Sequence, residues 1–414
     1  MQSIVAGSRK CRVVGSAHSF SLIADTEGDQ ISLEALNVGP PLLDEATGVV
    51  WVPGYMSYGA LVAFLEGSAW ALHNMASLPH ITVAGTIATG THGSGVGNGN
   101  LASCVCGLEL VLADGSLLRA SPTSHPTEFE GMVVHLGSLG VVTRVALQLV
   151  PAFFMRQVVY QDLPLETALA NFDSIMSAGY SVSLFTTWKA QSFEQVWRKA
   201  VCSPGQPGGS GAEEAVEEGL AGHFPPVWHG ARRAEAEQHP IPGVCAAPCT
   251  PQLGAPGPAH HRLPHFRLEF TPSAGEELQS EFFVRRENAP AALRALSALA
   301  GDIAPLLHIS EVRAIASDTL WLSPHQGGGE LGWCAIHFTW KKHWEGVRAL
   351  LPRIEGALDQ FGARPHWGKL FTSIKGQHAM ARLYPRLGDF LSLRERLDPT
   401  GKFLNCWFAQ TLLQ

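Results

Sequence analysis

The sequence HNMASLPHITVAGTIATGTHGSGVGNGN, residues 73–100, carries the most information about the fold. Glycine, serine and threonine dominate it, yet an apolar segment from Ile81 to Ile87 runs through it and is predicted to form a strand. Small residues let a ligand approach the backbone closely, and their exposed N–H groups can bind a pyrophosphate. A surface loop has a similar composition, so this stretch alone leaves both interpretations open. It contains neither G-x-G-x-x-G nor a P-loop lysine, which argues against those two kinds of nucleotide site.

A histidine in an earlier turn adds to this evidence. The segment Arg12-Val13-Val14-Gly15 is predicted to be a buried strand that ends at a glycine, and the turn GSAHSF, residues 15–20, places His18 directly after it. A histidine in such a turn is most often an ordinary surface residue. The combination of this turn with the glycine-rich loop further along the chain indicates a ligand site.

Hydrophobic periodicity predicts a chain of mixed α and β structure. Further strands are predicted over residues 49–52, 141–150, 265–270, 308–315 and 333–340, and helices over residues 58–66, 290–300 and 343–360. Pro151 closes one of these strands and is the predicted domain boundary.

The helix over 58–66 is predicted to present Leu61, Phe64 and Leu65 on one face and to end at Gly67. Residues 108–121 are predicted to form a hairpin. Its turn would be Asp114-Gly115, a dipeptide that tolerates the two positive φ angles of a type I′ turn.

The order of these motifs resembles a known family. A strand with GxxHSF, the Gly/Thr/His/Ser loop, the Asp-Gly hairpin and GSLGVVT (137–143) together resemble the vanillyl-alcohol-oxidase type of FAD-binding domain. Within it, the similarity is greatest to the alditol oxidases, relatives of the aldonolactone oxidases. The similar segments include residues 176–188, 262–283, 308–313, 337–340, 361–371 and 397–405.

The resemblance implies an α+β fold with three parts. Residues 1–151 would form a PCMH-type FAD-binding domain of two α+β subdomains. Residues 152–368 would form a substrate-binding, or cap, domain on a mixed or antiparallel sheet flanked by helices, and residues 369–414 would return to the FAD domain. Residues 203–219 are rich in glycine and acidic side chains and are predicted to be a flexible insertion. Relatives carry a strand and part of a helix before the segment that opens this chain, so an N-terminal strand is expected to be missing.

The resemblance also implies the cofactor site. His18 would be joined covalently to the flavin of FAD, with Gly15 and Ser19 approaching it from the same turn. The other implied cofactor-binding residues are Ser77, Gly90, Thr91, His92, Gly93, Ser94, Gly140 and Val142.

The implied substrate site consists of Ser77, Glu311, Arg313, Thr339 and Lys369, with His337, Arg313 and Lys369 as the catalytic candidates. A polyol presents hydrogen-bond donors and acceptors, and these side chains offer both kinds of partner. Residues two apart on a strand share a face, which would place Glu311 beside Arg313 and His337 beside Thr339. A solvated sheet face would show the same pattern. The base is left open between His337 and Lys369.

The function so implied is an FAD-dependent oxidase. It would convert a terminal hydroxyl of an alditol of the xylitol or sorbitol type to an aldehyde and reduce O2 to H2O2. The alternatives are an aldonolactone oxidase or dehydrogenase, and a catalytically silent flavin-binding protein. Ala76 is expected to lie where oxygen approaches the flavin. Its side chain could hinder oxygen, so the prediction of an oxidase rather than a dehydrogenase depends on this position.

Composition limits the other possibilities. The 414 residues are 46% hydrophobic and 16% charged, with a formal net charge of −7, which is typical of a globular chain and gives no basis for nucleic-acid binding. Eight scattered cysteines predict a reducing compartment and no disulfide framework. No membrane segment or signal peptide is visible, so a cytoplasmic or soluble organellar monomer is expected. The pair Cys245 and Cys249, with nearby histidines, has zinc-like spacing, but no metal is predicted.

Overall fold

The computed structural model describes residues 1–203, 223–270 and 276–414. The strands are β1 Cys11–Val14, β2 Asp29–Ser32, β3 Leu42–Asp44, β4 Val49–Pro53, β5 Trp70–Ala71, β6 Val105–Val111, β7 Leu117–Ala120, β8 Val141–Gln148, β9 Val150–Pro151, β10 Phe154–Pro164, β11 Ser181–Thr186, β12 Ser192–Cys202, β13 Val227–Trp228, β14 Ala231–Arg233, β15 Gly257–Pro258, β16 Glu277–Arg285, β17 Leu307–Ile315, β18 Trp333–Lys341 and β19 Arg364–Pro365. The α-helices are α1 Gln2–Gly7, α2 Tyr58–Leu65, α3 Val83–Ala88, α4 Phe129–Val133, α5 Leu165–Ala170, α6 Phe172–Met176, α7 Ala289–Ser297, α8 Ala300–Leu306, α9 Trp344–Asp359, α10 Gln377–Leu383, α11 Leu387–Leu397 and α12 Cys406–Phe408. The insertion predicted at 203–219 lies outside the described residues apart from Ser203.

The first part of the chain is built on an antiparallel sheet in the order β3-β4-β8-β6-β7. Strands β1 and β2 form a separate parallel pair, and β1 ends directly before the turn that carries His18. Helices α2 and α3 belong to the same hydrophobic core as this sheet. That core also takes in Trp367 and residues from α10 to α12, so the chain's last segment packs against its first.

The second part is built on a large antiparallel sheet whose central strands are β12-β11-β17-β18-β16. Successive side chains of a strand point to opposite faces. One face is apolar, with Val312, Ile336 and Phe282 in a core shared with helices α5 to α9. The opposite face carries most of the polar residues of β16, β17 and β18. The α+β class, with a PCMH-type FAD-binding fold and an antiparallel sheet flanked by helices, is therefore confirmed, while the domain boundaries themselves stay predictions.

The strand predicted for Ile81 to Ile87 is wrong. The segment forms the short helix α3, in which Val83, Thr86 and Ile87 are buried at helical spacing. The Thr86 hydroxyl donates to the Thr82 carbonyl, 2.7 Å away, which satisfies polar groups at the start of the helix. Burial against the core overrides the strand preference of these β-branched residues.

The strand predicted at residues 265–270 is also wrong. Only an isolated bridge joins Phe266 to Cys249. The amides of His265 and Phe266 donate to the carbonyl of Ser77, at 3.2 and 3.3 Å, and the His265 ring is hydrogen-bonded in the interior. Main-chain hydrogen bonds to Ser77 and the buried contact of the His265 side chain keep this segment irregular despite its alternating pattern.

The predicted hairpin forms, but its turn differs from the expected type I′. Gly115 has a positive φ of 85°, whereas Asp114 is not among the residues with positive φ. The Gly115 amide donates to the Leu112 carbonyl and the Leu112 amide donates to Ser116 O, both at 2.9 Å. This arrangement is a type I turn followed by a left-handed glycine.

Helix α2 follows the prediction except at one position. Leu61 and Leu65 are buried together with Tyr58 and Val62, but Phe64 is 41% exposed. Gly67, just beyond the end of the helix, has the left-handed conformation (φ 79°) expected there. No helix in residues 1–203, 223–270 or 276–414 combines the length and apolar character needed to cross a bilayer.

Candidate active site

A cavity of about 1100 Å³ lies between the two parts of the chain. Two surfaces supply much of its lining. The first, here called the turn wall, consists of lining residues from 13–19 and 76–92. The second, here called the strand wall, consists of polar residues of β16, β17 and β18 together with lining residues from 366–369. The volume exceeds the 300–1,000 Å³ typical of a pocket for one small molecule, so it has room for a large cofactor beside a substrate.

The turn wall is made of small residues in closely packed turns. A Cβ on Gly15 would stand 2.3 Å from Oγ1 of Thr82, so this approach of two segments requires glycine. Ala17 has a φ of 51°, a left-handed conformation that is unfavourable for alanine. Backbone strain of this kind, directly before His18, is typical of a functional site.

His18 lies in the cavity lining with its ring against two other aromatic rings. The centroid of its imidazole is 5.0 Å from that of His80 and 5.9 Å from that of Phe20. Burial, with a contribution from the positive charge of Lys369, lowers the pKa of His18 to about 4. The ring is therefore neutral at physiological pH and keeps a nitrogen lone pair for bond formation.

The strand wall gathers charged residues by strand register. Glu281 of β16 pairs with His337 of β18, which pairs in turn with Glu311 of β17, so the three form one row across the sheet. Arg313 lies two residues from Glu311 on the same strand and therefore on the same face. All four are more than nine-tenths buried.

Glu281 is the centre of an ion-pair network. Its Oε1 lies 2.7 Å from an Arg313 guanidinium nitrogen and 3.0 Å from Nε2 of His92, and its Oε2 lies 3.7 Å from Nζ of Lys369. Arg313 also faces Glu311, with 3.6 Å between Nε and Oε1. That distance is too long for a hydrogen bond, and no described residue supplies an acceptor for this buried Nε. An unused donor in the lining is a point where a ligand can bind.

The charges shift one another's proton affinities. Burial alone would raise the pKa of Glu281, but His92 and Arg313 lower it well below its usual range. Burial alone would also raise the pKa of Glu311, but Arg313 and His265 hold it below its usual range. The two carboxylates in turn raise the pKa of Arg313 against the effect of burial. Both carboxylates and the guanidinium are therefore charged at neutral pH.

Gln279 is hydrogen-bonded to both candidate bases, Lys369 and His337. Its Oε1 accepts hydrogen bonds from Nζ of Lys369 at 2.5 Å and from Nε2 of His337 at 3.1 Å. Burial and the nearby Lys369 hold the pKa of His337 well below its ordinary value. The ring is therefore neutral, and because Nε2–H donates to Gln279, Nδ1 is its acceptor.

The structure brings most of the predicted site residues to the cavity. The lining includes Gly15, His18, Ser19, Ser77, Thr91, His92, Glu311, Arg313, His337, Thr339 and Lys369. The residues outside the lining are Gly90, Gly93, Ser94, Gly140 and Val142. Gly93 packs tightly, since a Cβ there would stand 2.4 Å from the Asn74 side chain. The ligand roles of both sets stay predictions.

Several residues of the site were not predicted. Glu281, Gln279, His265 and His366 all lie in the lining. Glu281 and Gln279 show the same spacing as Glu311 and Arg313, since they are polar residues two apart on one strand and share a face. His265 begins a segment whose alternating pattern predicted a strand that does not form, and His366 lies in an irregular segment without periodicity.

The cysteine pair with zinc-like spacing is divided between two environments. Cys249 is buried and Cys245 is exposed. His260 and His261 lie instead beside Glu66, and the three potential ligand atoms are within 4.8 Å of one another.

The donor set of the turn wall fits FAD. Hydroxyl groups of Ser16, Ser19, Thr89 and Thr91 and small residues that expose their backbone lie along this wall. A pyrophosphate is bound by such donors. The single cavity then continues to the strand wall, so a cofactor on the turn wall and a polar substrate on the strand wall would adjoin each other.

Comparisons with known proteins agree with this fit. A family model described as an FAD-binding domain matches residues 2–121, and one described as D-arabinono-1,4-lactone oxidase matches residues 276–411. An alditol oxidase from Streptomyces sp. is 44% identical over 415 aligned residues, covering 100% of this chain and 93% of that protein. L-gulono-1,4-lactone dehydrogenase from Mycobacterium tuberculosis is 27% identical and covers 97% of this chain and 90% of its own.

Solved structures show the same fold. Cholesterol oxidase from Brevibacterium sterolicum superimposes with a TM-score of 0.73 at 14% identity, over 97% of this chain and 90% of that one. The fold and the cavity, with the FAD-domain match, define an FAD-dependent oxidoreductase of the vanillyl-alcohol-oxidase type. Within that class the chain belongs to the family of alditol oxidases and aldonolactone oxidases, which confirms the resemblance found in the sequence.

Proposed function

We propose that the protein oxidises a terminal hydroxyl of an alditol to an aldehyde, with O2 as electron acceptor and H2O2 as product. The observation that carries the proposal is the strand wall. It offers a carboxylate, a guanidinium, an ammonium and a hydroxyl, from Glu311, Arg313, Lys369 and Thr339, in one cavity. A polyol, whose hydroxyls both donate and accept, uses such a set more fully than a lactone with its ring ester. The overall identity to the Streptomyces alditol oxidase favours the same choice.

The cofactor would be held by the turn wall, with His18 as the point of covalent attachment. The chemistry that FAD supplies when bound is two-electron oxidation of the carbon that carries the hydroxyl. His18 suits attachment because its low pKa keeps the imidazole neutral.

Residues of the strand wall would orient the substrate. Glu311 accepts hydrogen bonds from hydroxyl groups, and Arg313 donates through the Nε that has no acceptor among the described residues. His337 would accept the hydroxyl proton at Nδ1, because its Nε2 already donates to Gln279. Lys369 stays engaged with Gln279 and Glu281 and supplies positive charge rather than acting as the base.

The test has two arms. Purified protein is precipitated with acid, and flavin is expected to remain in the pellet of the parent and to wash out of His18→Ala. Peroxide formation is then measured with xylitol, sorbitol and L-gulono-1,4-lactone, and higher kcat/KM for the alditols is expected. A preference for the lactone would replace alditol oxidation with lactone oxidation, and retention of flavin by His18→Ala would place the attachment elsewhere.

Oxygen use is tested separately at Ala76, which is buried and lies in the cavity lining. If the methyl group restricts access of O2, Ala76→Gly raises the turnover rate with O2 and leaves the rate with a dye acceptor unchanged. Equal rates with O2 in the variant and the parent would remove this role for Ala76.

The expected cytoplasmic or organellar location and the monomeric state stay proposals. Gel filtration of the holoenzyme tests the second, and an apparent mass near twice that of the 414-residue chain would contradict it.

A further inference from the structure

Behind Glu311, a histidine and a lysine continue the polar network away from the cavity. Nε2 of His265 lies 2.7 Å from Oε1 of Glu311. On the other side of the ring, Nδ1 of His265 lies 3.5 Å from Nζ of Lys199. Lys199 projects from β12 and is fully buried, and it is not part of the cavity lining. A buried lysine with no ligand contact needs a structural explanation, because burial of an ammonium group is costly.

The hydrogen bonds of Lys199 provide that explanation. An ammonium group has three donors and no acceptor. Nζ of Lys199 has three acceptors around it, namely Leu263 O at 2.5 Å, Pro264 O at 3.3 Å and Nδ1 of His265 at 3.5 Å. The last contact requires a lone pair on Nδ1, so the proton of the ring is on Nε2, where it is donated to Glu311.

Three aromatic and main-chain contacts fix the position of the same ring. The His265 imidazole meets Trp197 edge to face at 4.9 Å and Phe185 at 5.6 Å between centroids. The His265 amide donates to the Ser77 carbonyl. The ring can therefore neither turn over nor follow the carboxylate, and its direction determines that of Glu311.

We propose that Lys199 and His265 are positioning residues, which hold Glu311 oriented and charged so that it accepts the substrate's hydroxyl groups. The inference rests on the proposed oxidation of a polyol, in which Glu311 contacts the substrate. Lys199 acts on His265 by occupying Nδ1, which prevents a second proton from binding there. A doubly protonated His265 would neutralise Glu311 and weaken its hydrogen bonds to a hydroxyl. Burial already lowers the pKa of His265, in agreement with a neutral ring.

The first test observes the ring itself. The 15N chemical shifts of histidine in the holoenzyme distinguish a protonated from an unprotonated Nδ1. In the parent, Nδ1 of His265 is expected to be unprotonated at pH 6.5, and in Lys199→Met it is expected to carry a proton. An unprotonated Nδ1 in both proteins would overturn the inference. This result is independent of turnover, so it decides the Lys199–His265 interaction even if the protein oxidises no polyol.

The second test measures substrate binding. Lys199→Met should raise KM for the alditol by about tenfold, the effect of weakening one hydrogen bond to a charged group, while kcat changes much less. Lys402→Met is the matched control, because Lys402 is a buried lysine that donates to Val5 O and Ala6 O, away from the cavity. The control is expected to lose stability and to keep its KM. Equal KM values for the two variants would refute the positioning role.

The His265 variants provide a test that does not depend on the folding of Lys199→Met. His265→Gln keeps an N–H that can donate to Glu311, whereas His265→Leu does not. We expect the KM of the leucine variant to exceed that of the glutamine variant by about tenfold. The same KM in both would show that Glu311 needs no donor from position 265.

Discussion

The two walls of the cavity are built by opposite means. The turn wall uses small residues and irregular backbone. Its shape is fixed by chain segments that pack closely against each other, as at Gly15 and Thr82. The strand wall uses long charged side chains on regular strands. The positions of these side chains are fixed by strand register and by ion pairs, as at Glu281 and Arg313. Each wall suits its proposed ligand, because exposed backbone groups bind phosphate and charged side chains orient hydroxyl groups.

The comparison also shows where each wall is vulnerable. Removing one charge from the strand wall leaves its partners buried and uncompensated, which is costly in free energy. Adding one carbon to the turn wall displaces a neighbouring side chain and costs less. Three substitutions in the walls and one at Lys199, behind the strand wall, test this difference, with expected effects that decrease from Arg313 to Ala17.

Arg313→Met should have the largest effect. It leaves Glu281 and Glu311 buried without their shared cation, and the free energy of unfolding should fall by about 3–5 kcal/mol. Urea denaturation of the holoenzyme, followed by tryptophan fluorescence, measures the change. The matched control is Arg353→Met, which breaks a pair with Asp302 whose side chains are about half exposed (53% and 49%). The control should lose far less stability than Arg313→Met, because water screens an exposed ion pair, and a similar loss in both variants would contradict the account of the strand wall.

Lys199→Met should change the dependence of stability on pH. Burial lowers the pKa of Lys199 to about 7, against about 10.4 in an unfolded chain. Between these values the unfolded chain binds more protons than the folded protein, so the parent gains stability as pH rises from 7 to 10. The substitution removes this gain, which is at most about 4 kcal/mol at 1.36 kcal/mol per pKa unit.

The difference in unfolding free energy between parent and Lys199→Met is therefore measured at pH 7 and pH 9.5. The parent should become more stable relative to the variant at the higher pH. The neighbouring charges that oppose or assist the shift, from Glu311, Cys249, Arg313 and Arg262, are the same in both proteins. A difference that does not change with pH would mean that Lys199 titrates normally in the folded state.

Gly15→Ala should have a moderate effect on the turn wall. The new Cβ would lie 2.3 Å from Oγ1 of Thr82, and relieving this overlap should cost about 1–3 kcal/mol and reduce the ratio of bound flavin to protein. Gly15→Ala combined with Thr82→Ala should recover both properties. Gly97→Ala is the control, since a Cβ there meets no atom within 4 Å. Failure of the double variant to recover would show that the overlap is not the cause.

The two walls also differ in how far their sequences predict them. Alternation along β17 and β18 predicted that Glu311, Arg313, His337 and Thr339 share faces of strands, and the registers agree. The same rule would place Glu281 beside Gln279, but no strand was predicted over residues 277–285. His265 could not be found this way, because the strand predicted at 265–270 does not form and the ring contacts Trp197 and Lys199, which are distant in sequence. On the turn wall, composition indicated a ligand site at 73–100 but predicted strand where α3 forms, because β-branched residues do not distinguish a short buried helix from a strand.

Ala17→Gly should have the smallest effect on stability, and it should also change the rate of covalent flavin attachment at His18. A φ of 51° costs alanine about 1–2 kcal/mol, whereas glycine adopts it freely but loses about 0.5–1 kcal/mol of chain entropy on folding. The variant should therefore be more stable by about 0–1.5 kcal/mol. Ala60→Gly, in the exposed part of helix α2, should instead be destabilised by a similar amount.

If the strain at Ala17 holds His18 in position, relaxing it should slow covalent attachment of flavin although the fold becomes more stable. A stabilised variant that attaches flavin at the parent's rate would show that the strained turn fixes the backbone alone, and that His18 is oriented by its ring contacts with His80 and Phe20.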